Sequence, residues 1–227
     1  MWRKFRALDL FCGAGGATRG LQQAGFQVAG VDIRDQPRYC GDRFYRADAL
    51  EFADRLTTNR YDFIWASPPC QAYSPSSPLE KRNARAYPDL IAPVRALLER
   101  SGVAYCIENV PQAPLRPTLT LDGWMFPELR VVRKRIFELN FFILAPLSCP
   151  PLGLIRRGYS CVVGGGRPSG VGVEAKAWHT EAAKRKAMGV DWMVRHELNQ
   201  AVPPAYSRFI GREAIEFLSS PTVRVSR

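Results

Sequence analysis

The residues best suited to covalent chemistry lie in the stretch "DFIWASPPCQAYS", at positions 62–74. An apolar run is followed there by Pro68, Pro69 and Cys70, so the prolines restrict the backbone and hold the thiol just beyond a predicted buried strand. A thiolate is a strong nucleophile, although most single cysteines in proteins are small buried hydrophobic residues. The position at the end of a strand favours the nucleophile, and the other motifs must decide.

Two further motifs carry groups that could assist such a thiol. The run "VAYCIENV" contains Glu108, and a carboxylic acid with a raised pKa could donate a proton beside the thiolate. The run "RVVRKRIFE" places Arg133 and Arg135 two residues apart, which predicts one shared face of a strand. Taken separately, Glu108 can equally cap a helix or pair with an arginine, and the arginines can equally form a solvated basic face.

A glycine-rich turn indicates a cofactor site. The stretch "DLFCGAGG" follows the first apolar run and resembles a dinucleotide-binding turn, although its glycine spacing is not GxGxxG. Asp32 ends the second predicted strand, 19 residues beyond Gly13, where a carboxylate commonly binds a ribose diol. Asp48 ends the third strand and can accept a hydrogen bond from an adenine amino group. These residues alone leave two alternatives open, namely helix-capping aspartates and an NAD site.

The elements that must position these groups alternate between strand and helix. Short apolar runs predict strands at 7–11, 27–31, 61–66 and 103–108, with a further short strand ending near "YRADA". Apolar residues at helical spacing from Leu90 to Leu98 predict a helix that ends at Gly102. The alternation predicts an α/β fold with helices on both faces of a parallel sheet. Ligands of such sheets bind at the carboxyl ends of the strands, where these polar motifs fall.

The pattern changes in the second half of the chain. The run "ELRVVRKRIFELNFFIL" alternates like antiparallel strands, whereas residues 148–175 are rich in Gly, Pro and Arg and show no period. Pro204 is placed to open a last helix, whose apolar side should pack back onto the sheet.

Composition narrows the possible classes of protein. The chain has 227 residues, 46% of them hydrophobic, which suffices for one sizeable core and argues against disorder. A net charge of +11 favours nucleic acid or an anionic membrane as partner. No apolar run approaches the roughly 20 residues that span a bilayer, and no secretory signal is evident, so we expect a cytoplasmic protein. The six cysteines are scattered singly, so we expect reduced thiols and no metal.

The motifs considered together resemble those of one family. "DLFCGAGG", "VDI", "DAL", "SPPCQAYS", "IENV" and "RKRIFE" occur in the order found in cytosine carbon-5 methyltransferases. The resemblance covers residues 7–140 and resumes at "QAVPPAYSRFIG", and chance assembly of these motifs in order is improbable. It implies a Rossmann-like S-adenosylmethionine-dependent methyltransferase fold, and methylation of carbon 5 of cytosine in DNA by a compact, phage-type member, which would then act in the host cytoplasm.

The resemblance also implies roles for individual residues. Cys70 would be the nucleophile that adds to carbon 6 of a cytosine flipped out of the duplex, and Glu108 would hold and protonate ring nitrogen 3. Arg135, together with Arg133, would bind the exocyclic oxygen of the base. The residues implied for binding S-adenosylmethionine are Asp9, Phe11, Gly13, Gly15, Gly16, Asp32, Ile33, Asp48, Ala49 and Pro68.

The region that reads the DNA should be small, because few residues separate the arginine motif from the closing motif. We expect a catalytic and cofactor-binding domain at 1–140, a short target-recognition lobe of mostly irregular or β structure at 141–190, and a C-terminal segment at 191–227 that packs back on the first. Such a lobe would read about two to four base pairs of double-stranded DNA, with the protein acting as a monomer. The residues expected on the DNA side are Ser74, Ser76, Arg82, Arg85, Arg156, Arg157 and Arg167.

Two departures from the family pattern bear on how the cofactor is held. Val131 stands where a glutamine often opens the arginine motif, and the closing "GN" appears as "NQ" at Asn199–Gln200. Two other functions stay open, namely methylation of transfer RNA and a catalytically silent DNA-binding relative. The joint presence of Cys70, Glu108 and Arg135 argues against a silent protein.

Overall fold

A computed structural model describes residues 4–55, 60–73, 88–147, 159 and 180–220. All seven residues predicted on the DNA side lie outside the described residues, namely Ser74, Ser76, Arg82, Arg85, Arg156, Arg157 and Arg167. Most of the predicted lobe at 141–190 lies outside them too, so its boundaries stay a prediction. Its described end is helical at Glu181–Met188.

Seven strands form one sheet in the order β3-β2-β1-β4-β5-β7-β6. Their bounds are β1 Arg6–Leu10, β2 Gln27–Asp32, β3 Arg43–Arg46, β4 Phe63–Ala66, β5 Ala104–Asn109, β6 Leu119–Leu121 and β7 Arg135–Leu139. Strands β1 to β5 pair in parallel, whereas β7 is antiparallel to both β5 and β6. The predicted parallel sheet is confirmed, and the antiparallel β7 brings its first residue to the carboxyl end of β5.

Within the described ranges, six α-helices connect and cover the strands. Their bounds are α1 Gly16–Ala24, α2 Ala49–Asp54, α3 Ile91–Ser101, α4 Glu181–Met188, α5 Arg195–Gln200 and α6 Pro204–Ser219. Gly102 ends α3 and Pro204 begins α6, as the sequence predicts. Among the described helices, none is both long and apolar enough to cross a membrane.

The sheet has a hydrophobic core on each face because successive strand residues point to opposite sides. On one face Phe63 and Trp65 of β4 belong to the cluster that includes α6, whose Tyr206 is fully buried. On the other face Ile64 packs in the cluster that includes Ile91 of α3. Since α6 shares its layer with α1, the chain just before α6 lies beside the glycine turn that precedes α1.

One local expectation was wrong: Arg133 and Arg135 do not share the face of a strand. Strand β7 begins only at Arg135. The backbone N–H of Arg133 donates instead to a carboxylate oxygen of Asp122, at 2.7 Å, so this part of the chain is not paired as a strand.

Candidate active site

The reactive groups meet where β4 and β5 end and β7 begins. Cys70 follows β4, Glu108 belongs to β5, and Arg135 is the first residue of β7. The Arg135 Nε lies 2.9 Å from Glu108 Oε1, and the two side chains are only 12% and 7% exposed. Both charges act on the Cys70 thiol. The structure thus brings together the three residues that the sequence predicts for the chemistry.

The turn that carries Cys70 is held by β5. The side-chain amide of Asn109 donates to the Pro68 carbonyl at 3.0 Å, and this bond is buried. The N–H of Tyr73 closes the turn by donating to the Cys70 carbonyl at 3.0 Å. Sequence reasoning gave Asn109 no role, although it lies in the quoted motif "IENV" directly after Glu108. It fixes the turn that carries Cys70 to the strand that carries Glu108.

Glu108 is suited to hold a proton. Burial raises the pKa of its carboxyl group, while Arg135 and a hydrogen bond from Ser67 oppose the rise without cancelling it. A carboxyl group with a raised pKa can donate a proton closer to neutral pH than an ordinary glutamate can.

The Cys70 thiol is balanced between opposing influences. Burial is the largest cause that raises its pKa, and the nearby Glu108 raises it further. Arg135 and Arg133 lower the pKa by favouring the thiolate, but the net direction is upward. At neutral pH the thiol form therefore dominates, and the arginines reduce the cost of ionising it.

The glycine turn predicted to bind the cofactor follows β1 and contains residues with positive φ. Phe11 has a φ of 61°, and Gly15 a φ of 89°. A side chain at Gly15 would also collide with the Cys40 sulfur, 2.7 Å from an ideal Cβ position. The N–H of Gly13 donates to a carboxylate oxygen of Asp32 at 3.0 Å, which joins the turn to the end of β2. Glycine is therefore required at position 15, where the backbone is left-handed and a side chain has no room.

Both predicted acidic cofactor ligands already make local bonds. Asp32 accepts from Arg34 N–H at 2.9 Å in addition to its bond with Gly13. Asp48 caps α2, because its Oδ1 accepts from the N–H groups of Leu50 and Glu51 at 2.9 and 3.0 Å. The capping role is thus real for Asp48, and it engages one of the two carboxylate oxygens. Ile33, next to Asp32, is an apolar side chain that is 65% exposed.

Asp9 is a buried acid in β1, just before the glycine turn. Its carboxylate is 1% exposed, and Oδ2 accepts from the Thr18 hydroxyl at 2.5 Å. Its Oδ1 is buried without a hydrogen-bond partner among the described residues. Burial, followed by the negative charges of Asp32 and Glu108, raises the pKa of Asp9 to about 7. An unpartnered buried acceptor is costly, so Asp9 fits a ligand that donates to it, as the ammonium group of S-adenosylmethionine can.

Replacing Asp9 by asparagine should stabilise the protein at alkaline pH. The folded-state pKa of Asp9 lies above its unfolded value, so the folded state binds the extra proton and the free energy of unfolding falls as pH rises from about 4 to about 7. The asparagine amide would keep an acceptor for Thr18 without a charge. Thermal denaturation near pH 8 should give Asp9→Asn a melting temperature several degrees above the wild type, with a difference that shrinks steadily as the pH is lowered toward 4. Equal melting temperatures across this pH range would contradict a buried, destabilising charge at Asp9.

The C-terminal segment covers the glycine turn. The indole N–H of Trp192 donates to the Ala14 carbonyl at 2.8 Å. A Cβ built on Gly16 would lie 2.5 Å from the Val202 carbonyl oxygen, so the two backbones are in direct contact. Sequence reasoning gave Trp192 and Val202 no role, although Val202 belongs to the quoted closing motif. Their partners lie far away in the chain, which only the fold reveals.

Arg133 is buried beside the reactive groups but bonds elsewhere. It is 4% exposed, and its Nε and Nη2 donate to the carbonyls of Ala201 and Asn199 at 2.9 and 2.8 Å. Burial lowers the pKa of its guanidinium to about 9, and the neighbouring Arg135 acts in the same direction. Its charge reaches Cys70, whereas its side-chain hydrogen bonds join the C-terminal segment.

Metal chemistry has no candidate centre within the described ranges, where no group of His, Cys, Asp and Glu could hold an ion. Four cysteines in these ranges are free thiols, namely Cys12, Cys40, Cys70 and Cys106.

The sheet order, the glycine turn after β1 and the antiparallel β7 define a Rossmann-like methyltransferase fold, as the sequence predicts. The chain is similar to the Schizosaccharomyces pombe Dnmt2 methyltransferase, with a TM-score of 0.58 and 14% identity over 96% of this chain and 100% of that chain. The Entamoeba histolytica methyltransferase EhMeth gives the same TM-score at 13% identity, again over 96% of this chain and 100% of that chain. At these identities the likeness establishes the fold alone.

The sequence match points to a family. Residues 5–115 match the model of the C-5 cytosine-specific DNA methylases. The chain is also similar to the type II methyltransferase M.AgeI of Thalassovita gelatinovora, with 28% identity over 120 residues. That match covers 46% of this chain and spans only 28% of the relative's length. The family resemblance predicted from the motifs is thereby confirmed.

Proposed function

We propose that this protein transfers a methyl group from S-adenosylmethionine to carbon 5 of cytosine in double-stranded DNA. The observation that carries the proposal is the buried Glu108–Arg135 pair, 2.9 Å apart, next to the Cys70 thiol. A structural ion pair would not need a neighbouring thiol on a turn fixed by Asn109. The family of residues 5–115 supports cytosine in DNA as the target.

The pair of side chains suits one edge of cytosine. A protonated Glu108 can donate to ring nitrogen 3, and Arg135 can donate to the exocyclic oxygen beside it. Both interactions strengthen as negative charge moves from the attacking sulfur into the ring. Because Glu108 and Arg135 are desolvated, these interactions are stronger than they would be in water.

Cys70 supplies the electrons that the reaction needs. Its thiolate forms a bond from sulfur to carbon 6, and the electron pair of the 5,6 double bond makes carbon 5 nucleophilic while Glu108 protonates nitrogen 3. Bound S-adenosylmethionine supplies the electrophilic methyl group. Carbon 5 then loses its proton to a base, the 5,6 double bond re-forms, the sulfur leaves as thiolate, and nitrogen 3 returns its proton to Glu108.

The burial of the reactive residues implies that the base leaves the duplex. Glu108 is 5% exposed, so its carboxyl group cannot reach a base that is stacked in B-form DNA. An extruded cytosine can enter the crevice between the ends of β4 and β5. We place the reading of the surrounding sequence in the two segments that hold Ser74, Ser76, Arg82, Arg85, Arg156, Arg157 and Arg167.

On the cofactor side, different residues would bind different parts of S-adenosylmethionine. We expect Asp32, at the end of β2, to accept from ribose hydroxyls, and the second oxygen of Asp48 to accept from an adenine amino group. Ile33 offers an apolar surface to a planar base, and Asp9 offers an unpartnered acceptor. Pro68 and Ala49 add buried apolar surface at the same edge of the sheet.

A methylation assay with three substrates tests the proposal. Purified protein is incubated with methyl-labelled S-adenosylmethionine and with duplex DNA, the same DNA already methylated at carbon 5 of every cytosine, or RNA of the same sequence. Label should enter only the unmodified DNA, and bisulfite sequencing should locate it at cytosines in one short sequence. Label in RNA alone would instead favour the transfer-RNA alternative, and label in neither polymer would refute the proposed activity.

A further inference from the structure

We propose that Arg133 is a positioning residue for the cofactor side of the site, which it supports by holding Asn199–Val202 against the glycine turn. This inference rests on the proposed function. It separates Arg133 from Arg135, although the family resemblance implies that the two arginines act together on the base. The separation follows from three sets of contacts.

The first set is the two carbonyls that the guanidinium binds. Arg133 Nε donates to Ala201 at 2.9 Å and Nη2 donates to Asn199 at 2.8 Å. No ion pair involves Arg133 within the part of the chain that the structure describes. A buried guanidinium that turned toward the base would leave both carbonyls unsatisfied, which is unfavourable away from water. The side chain is therefore committed to the C-terminal segment.

The second set fixes the backbone of Arg133 itself. Its N–H donates to an Asp122 carboxylate oxygen at 2.7 Å, and its carbonyl accepts from the Tyr206 hydroxyl at 2.9 Å. Asp122 and Tyr206 are buried, and they belong to different parts of the fold, the turn after β6 and helix α6. The backbone of Arg133 is thus held in place on both sides, and its side chain holds the segment at 199–202 through hydrogen bonds.

The third set connects that segment to the cofactor turn. A Cβ built on Gly16 would lie 2.5 Å from the Val202 carbonyl oxygen, so the backbones at Gly16 and Val202 are in direct contact. A second anchor holds the helix that leads into this segment, because Arg38 Nε lies 3.0 and 2.9 Å from the two carboxylate oxygens of Glu197 in α5. Loss of either anchor should loosen the wall of the cofactor site.

Among the described residues, Arg135 bonds toward the reactive residues and not toward the C-terminal segment. Its Nε pairs with Glu108, and it directly precedes Ile136, which pairs with Asn109 at the end of β5. Removing Arg135 should impair the handling of the base and leave the glycine turn in place. The two arginines should therefore differ in a measurement that contains no DNA.

The test is calorimetric titration of S-adenosylmethionine into the purified protein without DNA. Arg133→Met, which keeps a long side chain but loses both hydrogen bonds, should raise the cofactor dissociation constant about tenfold or more. Arg135→Met should change it by less than about twofold. Arg95→Met is a matched control for the loss of a buried arginine, because Arg95 binds Glu138 at 2.6 and 2.7 Å on the other face of the sheet. It should also change the constant by less than about twofold.

Two milder variants keep the test decisive if Arg133→Met does not fold. Arg133→Lys retains a charge but replaces the two separate guanidinium donors with a single, shorter ammonium group, and Glu197→Gln weakens the second anchor. Both should raise the cofactor dissociation constant, and melting temperatures will show that they are folded. The inference would be overturned if these folded variants bound S-adenosylmethionine as tightly as the wild type and yet lost DNA methylation. A wild-type protein that binds no S-adenosylmethionine would instead refute the proposed function.

Discussion

Cys70→Ser is expected to abolish covalent trapping of the protein on DNA that carries 5-fluorocytosine. Carbon 5 of that base can accept a methyl group, but it carries fluorine in place of the proton that normally leaves. Fluorine cannot leave as a cation, so the sulfur cannot be eliminated. The wild-type complex should survive denaturing electrophoresis and should need S-adenosylmethionine to form efficiently. A serine hydroxyl is a far weaker nucleophile at neutral pH than a cysteine, because it is hardly ionised.

Cys40→Ser provides the matched control. Cys40 is also a half-buried free thiol with a raised pKa, and burial is the main cause in both residues. Its sulfur lies 3.1 Å from the Gly15 carbonyl, a bond that a serine hydroxyl can replace. The control variant should trap like the wild type. If Cys70→Ser still formed the trapped complex and Cys40→Ser did not, the nucleophile would be Cys40 and our assignment of Cys70 would be wrong.

The sequence predicted the parallel framework because the signals for it are local. Apolar runs of four to six residues, each followed by glycine, proline or an acid, correspond to β1, β2, β4 and β5. The ends of such strands lie at one edge of the sheet in any doubly wound fold. Cys70 and Glu108 could therefore be placed together from the sequence alone.

What could not be predicted depends on partners distant in the chain. The carbonyls that bind the Arg133 guanidinium are 68 and 66 residues away, and the residue that fixes Pro68 is 41 residues away. Spacing suggested one strand face for Arg133 and Arg135, but the Asp122 carboxylate competes for the Arg133 N–H and delays the start of β7. Tertiary hydrogen bonds of this kind leave no periodic pattern in a sequence.

Local and functional interpretations of one residue can also be true together. Asp48 caps α2 through Oδ1, as the simplest interpretation of its position requires, and its other oxygen stays available to a ligand. Asp32 likewise shapes the turn through Gly13 while ending β2 at the edge of the site. Sequence alone could not choose between the two roles, because the geometry allows both at once.

Glu108→Gln is expected to lower kcat/KM by about 10²- to 10⁴-fold near neutral pH, the usual contribution of a general acid. The amide keeps the size of the side chain and can still donate a hydrogen bond to nitrogen 3, but it cannot transfer a proton. The buried Arg135 will keep a partner of the same shape, so the variant should fold. Single-turnover methylation of duplex DNA measures the loss, and Glu99→Gln serves as a control because Glu99 lies on the exposed side of α3, where it pairs with Arg116.

The pH profile of the same variant identifies the proton donor independently of the size of the loss. The proposed mechanism requires Cys70 to be ionised and Glu108 to be protonated. Burial raises the pKa of both groups, and the ordinary pKa of a thiol is already higher than that of a carboxyl group. Between the two pKa values the thiolate fraction rises about tenfold per pH unit while the protonated glutamate fraction falls equally, so the wild-type kcat/KM should be flat. Glu108→Gln removes only the second factor, so its kcat/KM should climb by about tenfold per pH unit across that range. Parallel profiles for the wild type and Glu108→Gln would mean that Glu108 does not supply the proton.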